Sequence, residues 1–381
     1  MKESREKAVI RKMLEPLDIQ LDGDRPWDIR IHNPDFYKRV LCGGSLALGE
    51  SYMDGWWDCE ALDQFFERIL ENRLDEQVKP ESRLSFLAAL RTKVINPQCR
   101  SRAYVIGQRH YDIGNNLFSV MLDKWLNYSC GYWAKAKTLD EAQEAKMELI
   151  CRKIGLQPGM TVLDIGCGWG GFAKYAAEKY GVTIHGITVS REQVKFATEF
   201  CQGLDVTIEL KDYRDLDGRY DRIVSVGMFE HVGSKNYRTY MEVVHRCLEE
   251  DGLFLLHTIG MNYSVSSNDT WLEKYIFPNS MIPSAKQITS AAEGLFVIED
   301  WHSFGQYYDN TLMAWYKNFT KNWDKLKDAY DERFYRMWTY YLLSCAGSFR
   351  ARKNQLWQIV FSKKGIKGGY LFRDHAGAET N

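Results

Sequence analysis

The chain has no apolar run near the ~20 residues that a bilayer span requires, so any contact with lipid is expected to be peripheral. It carries almost no net charge: 50 Lys and Arg against 51 Asp and Glu leave −1. No overall field therefore argues for a nucleic-acid partner, and none is expected. Nine cysteines are scattered from Cys42 to Cys345 without metal-ligand clusters. An odd, dispersed set points to free thiols in a reducing cytosol rather than to a disulfide framework, and no metal site is expected. The stretch 1–11 is charged and lacks an apolar core, so no secretory signal is expected. Internal repeats and low-complexity segments are missing as well. At 381 residues the chain can bury the core of one large domain or two smaller ones.

What is abundant is aromatic: 12 Trp, 22 Tyr and 18 Phe. A large core explains that, and so does a wide aromatic pocket. Residues 1–90 read as a small, mainly helical N-terminal domain. Asn33-Pro34 opens a helix over 35–40 that Gly43-Gly44 ends, and 61–70 reads as another, with Phe65, Phe66, Ile69 and Leu70 on one face. A linker over 91–110 follows. From Ser82 to Tyr111 the chain holds Arg83, Arg91, Lys93, Arg100, Arg102 and Arg109 and no acid, interleaved with apolar residues. Such a segment suits an anionic membrane surface, or simply the solvated face of a linker helix.

In the remaining domain, 111–381, helices alternate with short apolar strands at 160–165, 182–189, 205–210, 221–227, 253–259, 296–302 and 356–362, the last two flanking a helical insertion over 309–353. That pattern predicts an α/β fold with a mostly parallel seven-stranded sheet. Residues 162–172 are the most informative: Val-Leu-Asp-Ile-Gly-Cys-Gly-Trp-Gly-Gly-Phe. A strand, a glycine-rich turn and a helix N-terminus let main-chain N–H groups approach a ligand closely. A dinucleotide site places its acid about 20 residues beyond the glycines. Here Asp164 precedes Gly166, Gly168 and Gly170, and this spacing resembles motif I of the S-adenosylmethionine (SAM) dependent methyltransferases, with Cys167 inside the turn.

Ligands of such sheets lie outside the carboxyl ends of the strands. The second strand ends at Thr188-Val189-Ser190, where an acid for the ribose is common. This chain has none, so Thr188, Ser190 and Gln193 are the neutral candidates. Asp212 can accept from an adenine amino group and Tyr213 can stack on the ring, unless both are ordinary loop residues. Glu230 and His231 follow the fourth strand and suit acid–base work; a helix-terminal acid and a packed histidine are the plainer readings. His257 on the fifth strand is either a core histidine or a participant at the same sheet edge.

Several segments carry a wider resemblance: 110–115 (HYDIGN), 128–133 (YSCGYW), 227–233 (GMFEHVG), 255–260 (LLHTIG) and 311–316 (TLMAWY), together with 33–36 and 49–57 in the N-terminal part. Over essentially its whole length the chain resembles the bacterial cyclopropane-fatty-acyl-phospholipid synthases. Its catalytic part is similar to the mycolic-acid cyclopropane synthases, which lack the extra helical domain. The resemblance implies a Rossmann-like class I SAM-dependent methyltransferase that adds a methylene from SAM to a cis double bond of a phospholipid acyl chain. It also implies a bound bicarbonate ion as base, held by Cys130, Glu230, His257 and Tyr308 with main-chain help at Ile259. Tyr128 and Ser129 would contact the cofactor along with Asp164, Gly166, Cys167, Gly168, Gly170, Thr188, Val189, Gln193, Asp212 and Tyr213. Cys345 matches a cysteine once proposed as catalytic, for which a structural or pocket role is favoured. Tyr132, Trp133, Phe229, Trp315 and Tyr316 are candidates to stabilise a cation by their ring faces.

A homodimer in the cytoplasm, docked on the inner face of the cell membrane through 83–109 and Lys363-Lys364-Gly365-Ile366-Lys367, completes what is implied. A methyl-branched lipid or a methylated amine as product, or a non-catalytic lipid-binding protein, remain the alternatives.

Overall fold

The computed structural model describes residues 3–77, 114–265 and 267–372. The basic segment 83–109, the linker 91–110 and residues 110–113 of the HYDIGN motif lie outside them. The described chain forms two compact units, one of 3–77, 267–278 and 312–354, the other of 114–265, 279–311 and 355–372.

The first unit is helical, with a two-residue ribbon of β1 (Arg30–Ile31) and β2 (Trp57–Asp58). Its helix Phe36–Met53 runs straight past the expected stop. Gly44 takes φ 56°, which breaks the helical backbone at one residue, and the helix then resumes. Only glycine adopts that conformation without strain, so the pair Gly43-Gly44 kinks the helix instead of ending it. The helix Leu62–Glu71 buries Leu62, Phe65, Phe66 and Ile69 as its periodicity requires. Against it lies the helix Glu332–Arg350 from the insertion late in the chain. A methyl group on Gly347 would stand 2.5 Å from the Asp63 carbonyl oxygen, so a glycine is needed for the backbones to approach. Arg350 closes the same contact on Asp63 at 2.8 Å. Trp57 is wholly buried here among Phe36, Tyr52 and Phe65, which accounts for part of the aromatic content by packing alone.

The second unit holds a seven-stranded sheet of β3 (Thr161–Ile165), β4 (Thr183–Thr188), β5 (Val206–Leu210), β6 (Tyr220–Val226), β7 (Leu248–Met261), β8 (Val297–Ser303) and β9 (Asn354–Ser362), in the order β5-β4-β3-β6-β7-β9-β8. β3 to β7 pair in parallel and β8 pairs antiparallel to β9. All seven strands fall within a few residues of their expected places. Neighbouring side chains point to opposite faces: Leu163 packs in one core and Val162 in the other, Phe254 and Leu256 in the first and Leu255 in the second. Both faces are therefore covered, which is why the central strands read as continuous apolar runs. The chain order reverses between β3 and β6, and the carboxyl ends of those two strands mark the crevice that such a sheet offers a ligand.

Helix ends near that crevice are set locally. Thr138 and Glu141 form a reciprocal capping box at the start of Leu139–Lys153, and Ser190 accepts from the Gln193 N–H at the start of Arg191–Phe200. At the far end of the chain, Lys363 is nearly buried and shares Glu250 with Lys364, at 3.1 and 3.4 Å. The basic run 363–367 is thus partly neutralised within the fold, which weakens it as a headgroup contact.

Candidate active site

The glycine-rich turn stands at the end of β3. Gly166, Gly168 and Gly170 have φ of 85°, 56° and 84°, a region that side chains with a Cβ enter only with strain. The first two N–H groups of the turn, of Gly166 and Cys167, both donate to the Ile187 carbonyl and so tie the turn to β4. Gly171 opens the next helix with the Trp125 carbonyl so close that a Cβ there would meet it at 2.2 Å. Trp169 of the turn stacks obliquely on Phe118 at 4.8 Å, and Phe118 meets the edge of Tyr128 at 5.1 Å. The turn and the segment 127–133 are thereby held as one surface.

That segment is supported from below by two buried polar side chains of the helix Leu139–Lys153. Lys146 gives hydrogen bonds to Asn127 Oδ1 (3.0 Å) and Ser129 Oγ (2.9 Å), and Gln143 donates to the Ser129 carbonyl (2.8 Å). Burial depresses the Lys146 ammonium to about 8, and burial lifts Asp164 to about 7 against the pull of Lys146. Asp164 is a buried partner in this charge system, inside the strand between Gly186 and Val224.

At the end of β4, Thr188 donates to Gln193 Oε1 at 2.7 Å and accepts the Ser190 N–H. Gln193 Nε2 is buried and has no hydrogen-bond partner among the described residues, which leaves an amide donor for a bound hydroxyl. Val189 is half-buried beside it. The 212–213 pair is arranged differently from the expectation. Asp212 accepts from both the Arg214 main chain and its guanidinium, each at 3.0 Å. Tyr213 lies in the core, edge-on to Tyr240 at 5.1 Å with Arg214 over its ring at 4.8 Å. The Tyr213 ring is thus engaged in packing.

The second cluster sits at the ends of β6 and β7. Glu230 follows β6 in a short turn, Phe229–His231, and its Oε1 accepts the Ile259 N–H at 2.7 Å. Its main-chain oxygen accepts from Met281 N. Ile259 thus uses its N–H on Glu230. His257 is two residues earlier on β7, on the same face, and its Nδ1 lies 3.2 Å from Gln358 Nε2 on β9. Among the described residues neither Glu230 Oε2 nor His257 Nε2 has a hydrogen-bond partner, though both are buried. Burial lifts Glu230 to about 7. Burial, with the charges of Lys146 and Lys153, pushes His257 well below the usual imidazole range, and burial holds His231 down at about 4. Both rings are neutral.

Cys130 is wholly buried, and loss of hydration raises its thiol far above its ordinary value, so it stays protonated. Its place is set by Thr311, which accepts from Gly131 N (3.0 Å) and Trp133 Nε1 (2.9 Å) and donates to the Tyr307 carbonyl. Tyr308, buried, stands on that same helix Gln306–Lys321 less than one turn before Thr311. Tyr132 meets Tyr307 and Phe304 edge-on, and Phe304 meets the His257 ring at 6.0 Å. These contacts join Tyr132, Tyr307, Phe304 and His257 in one aromatic layer, with Cys130 two residues before Tyr132 and Tyr308 next to Tyr307 in the chain. Phe229 is not part of it, being stacked on Tyr237 at 4.3 Å in the core. Cys345, Trp315 and Tyr316 fall in the helical unit; burial lifts the Cys345 thiol to about 12, which is no state for a nucleophile near neutrality.

Four residues went unnoticed as site components in the sequence: Gln143, Lys146, Thr311 and Gln358. Three carried a signal. Gln143 and Lys146 fall on the face of their helix that buries Leu139, Ala142, Met147 and Ile150, and Gln358 interrupts an apolar strand. A polar residue at a buried position needs a partner.

A family model described as mycolic acid cyclopropane synthetase matches residues 98–359. The chain is 54% identical over 361 residues to the cyclopropane-fatty-acyl-phospholipid synthase of Escherichia coli strain K12, covering 95% of this chain and 94% of that one. It is 32% identical over 360 residues to the tuberculostearic acid methyltransferase UfaA1 of Mycobacterium tuberculosis, covering 88% and 83%. Among solved structures, mycolic acid cyclopropane synthase CmaA1 complexed with SAH and CTAB superposes with a TM-score of 0.64 at 33% identity, over 68% of this chain and 98% of that one.

Proposed function

The chain belongs to the mycolic acid cyclopropane synthetase family, and on that premise we propose that it converts a cis double bond in a phospholipid acyl chain into a cyclopropane ring, with SAM as the carbon donor. The observation that carries the reading is the pair of buried atoms Glu230 Oε2 and His257 Nε2, both without a hydrogen-bond partner among the described residues, after the carboxyl end of β6 and on β7, with β6 next to the strand that leads into the glycine-rich turn. Bound SAM supplies a methyl group activated by its sulfonium. The residues present fit it: the positive-φ turn allows close main-chain approach, Gln193 Nε2 offers a donor where a ribose hydroxyl lies in related sheets, and Asp212 is a buried acceptor.

Ring closure requires the added carbon to lose a proton. We propose that bicarbonate, held by Cys130, Glu230, His257 and Tyr308, is the group those residues serve. The support is electrostatic. A neutral imidazole and a neutral thiol do not add charge beside an anion. A carboxyl group lifted to about 7 can give a proton at Oε2 in one form and accept one in the other. Burial also excludes water, which would otherwise capture a cationic substrate.

The test is to incubate the protein with SAM and vesicles of a cis-unsaturated phospholipid and to analyse the acyl chains. Ring formation adds one CH2 and removes the olefin signal, and depletion of dissolved carbon dioxide should slow it. A second reading is favoured by the methyltransferase relative, and a methyl-branched product from the same incubation would establish it instead. Unchanged lipid would defeat both.

We further propose a cytoplasmic homodimer docked on the inner membrane face through the basic segment 83–109. No helix among the described residues is long and apolar enough to cross a membrane. Co-sedimentation with anionic vesicles should fall steeply with salt; binding equal on neutral vesicles would count against that contact.

A further inference from the structure

β9 is apolar from Leu356 to Phe361 except at Gln358, whose side chain is wholly buried. Burying an amide is unfavourable unless its polar atoms are matched. Gln358 Nε2 stands 3.2 Å from His257 Nδ1. In this orientation the amide, whose Oε1 is buried with no hydrogen-bond partner among the described residues, has only hydrogens to offer the ring, so Nδ1 accepts and the ring proton resides on Nε2. Nε2 is the ring atom that is buried and unpartnered among the described residues.

The surroundings hold the imidazole in that form. Its ring meets Phe304 at 6.0 Å, and its main-chain oxygen accepts the Gly227 N–H at 2.9 Å, which together fix its orientation. Lys153 has its Nζ 2.7 Å from Asp300 and 3.2 Å from His302, and His302 is the register partner of Gln358 in β8. Protonating Nδ1 would set two donors against each other at the Gln358 contact. The neutral Nε2–H form avoids that.

We propose that Gln358 is a positioning residue: by donating to Nδ1 it holds His257 as the Nε2–H tautomer and so aims a hydrogen-bond donor at the anion in the site. The inference rests on the reading of His257 as an anion-holding residue. It says which ring nitrogen does the work and what decides it.

The tautomer is read directly by long-range proton–nitrogen correlation on full-length protein labelled with 15N-histidine. The unaltered protein should show His257 with Nδ1 bare and Nε2 protonated. In Gln358→Glu the new carboxylate accepts from the ring, so the proton should move to Nδ1. Ring formation should then drop on the order of 10–100-fold, with SAM affinity by calorimetry nearly unchanged. Gln358→Met keeps the volume without either polar group and should give a mixture of tautomers and an intermediate rate. A merely structural role would move melting temperature and leave the tautomer alone. A His257 protonated on Nδ1 in the unaltered protein would overturn the inference, as would an inverted tautomer in Gln358→Glu with full ring formation. Failure of the unaltered protein to form a ring would count against the functional reading alone, because the tautomer is measured without turnover.

Discussion

Replacing Glu230 by glutamine is expected to reduce ring formation by about 10²–10³-fold while leaving SAM affinity nearly unchanged. Glutamine keeps the shape, and its amide oxygen can still accept the Ile259 N–H that Glu230 Oε1 receives at 2.7 Å. What it cannot do is take up or release a proton at the second position. Glu230 sits near 7 because burial disfavours its charged form, and a group poised there is suited to exchanging one proton with a bound oxyanion. The same shift has a thermodynamic sign. Between 4.5, its ordinary value, and about 7, the folded chain holds a proton that the unfolded chain has released. The stabilisation is therefore fully present below 4.5 and is lost as pH rises to about 7, a change of about 3 kcal/mol. The glutamine variant should lose that pH dependence of stability along with the activity. Ring formation within about tenfold of normal, or loss of SAM binding, would contradict this role.

The second large effect is expected from Lys146→Met. The helix Leu139–Lys153 carries this ammonium fully buried. Removing it leaves Asn127 Oδ1 and Ser129 Oγ without their donor and withdraws the charge that holds Asp164 down. Breaking a buried ionic arrangement from one side costs about 3–5 kcal/mol, so a clear fall in melting temperature should follow. SAM affinity should weaken as well, because the segment 127–130 loses its support. The pH behaviour distinguishes this from ordinary core damage. Lys146 is depressed to about 8 from 10.5, so the unfolded chain binds the extra proton between those values. Stability of the unaltered protein gains as pH rises through that window, and the methionine variant lacks the gain. Equal melting curves for the two proteins between pH 8 and 10 would refute the assignment.

Much of the fold was legible because local rules and tertiary structure agree. The central strands of the second unit are buried on both faces, so they appear as apolar runs, and the glycine-rich turn after Ile165 adopts a backbone conformation that few other residues tolerate. Gly43-Gly44 misled because a positive φ at one residue is compatible with either a helix end or a kink. The helix resumes beyond Gly44 and buries Ala47, Gly49, Ser51, Tyr52 and Met53. Nor does periodicity reveal that the helix Glu332–Arg350 packs on Leu62–Glu71, since that pairing joins segments far apart in the chain.

The site divides in the same way. Asp164, the glycines, Glu230 and His257 were identifiable because strand ends in this fold converge on one crevice. By itself, then, the sequence determined a glycine-rich turn at Gly166 to Gly170, the strands that carry it, and the identity of the side chains at their ends. Only the tertiary structure decided what those side chains are free to do. It placed the Tyr213 and Phe229 rings in the core, gave the Ile259 N–H to Glu230, and put Lys146 beneath the segment that ends at Cys130. Hydrogen-bond partners and desolvation are properties of groups brought together from distant positions, and no spacing along one strand or helix encodes them.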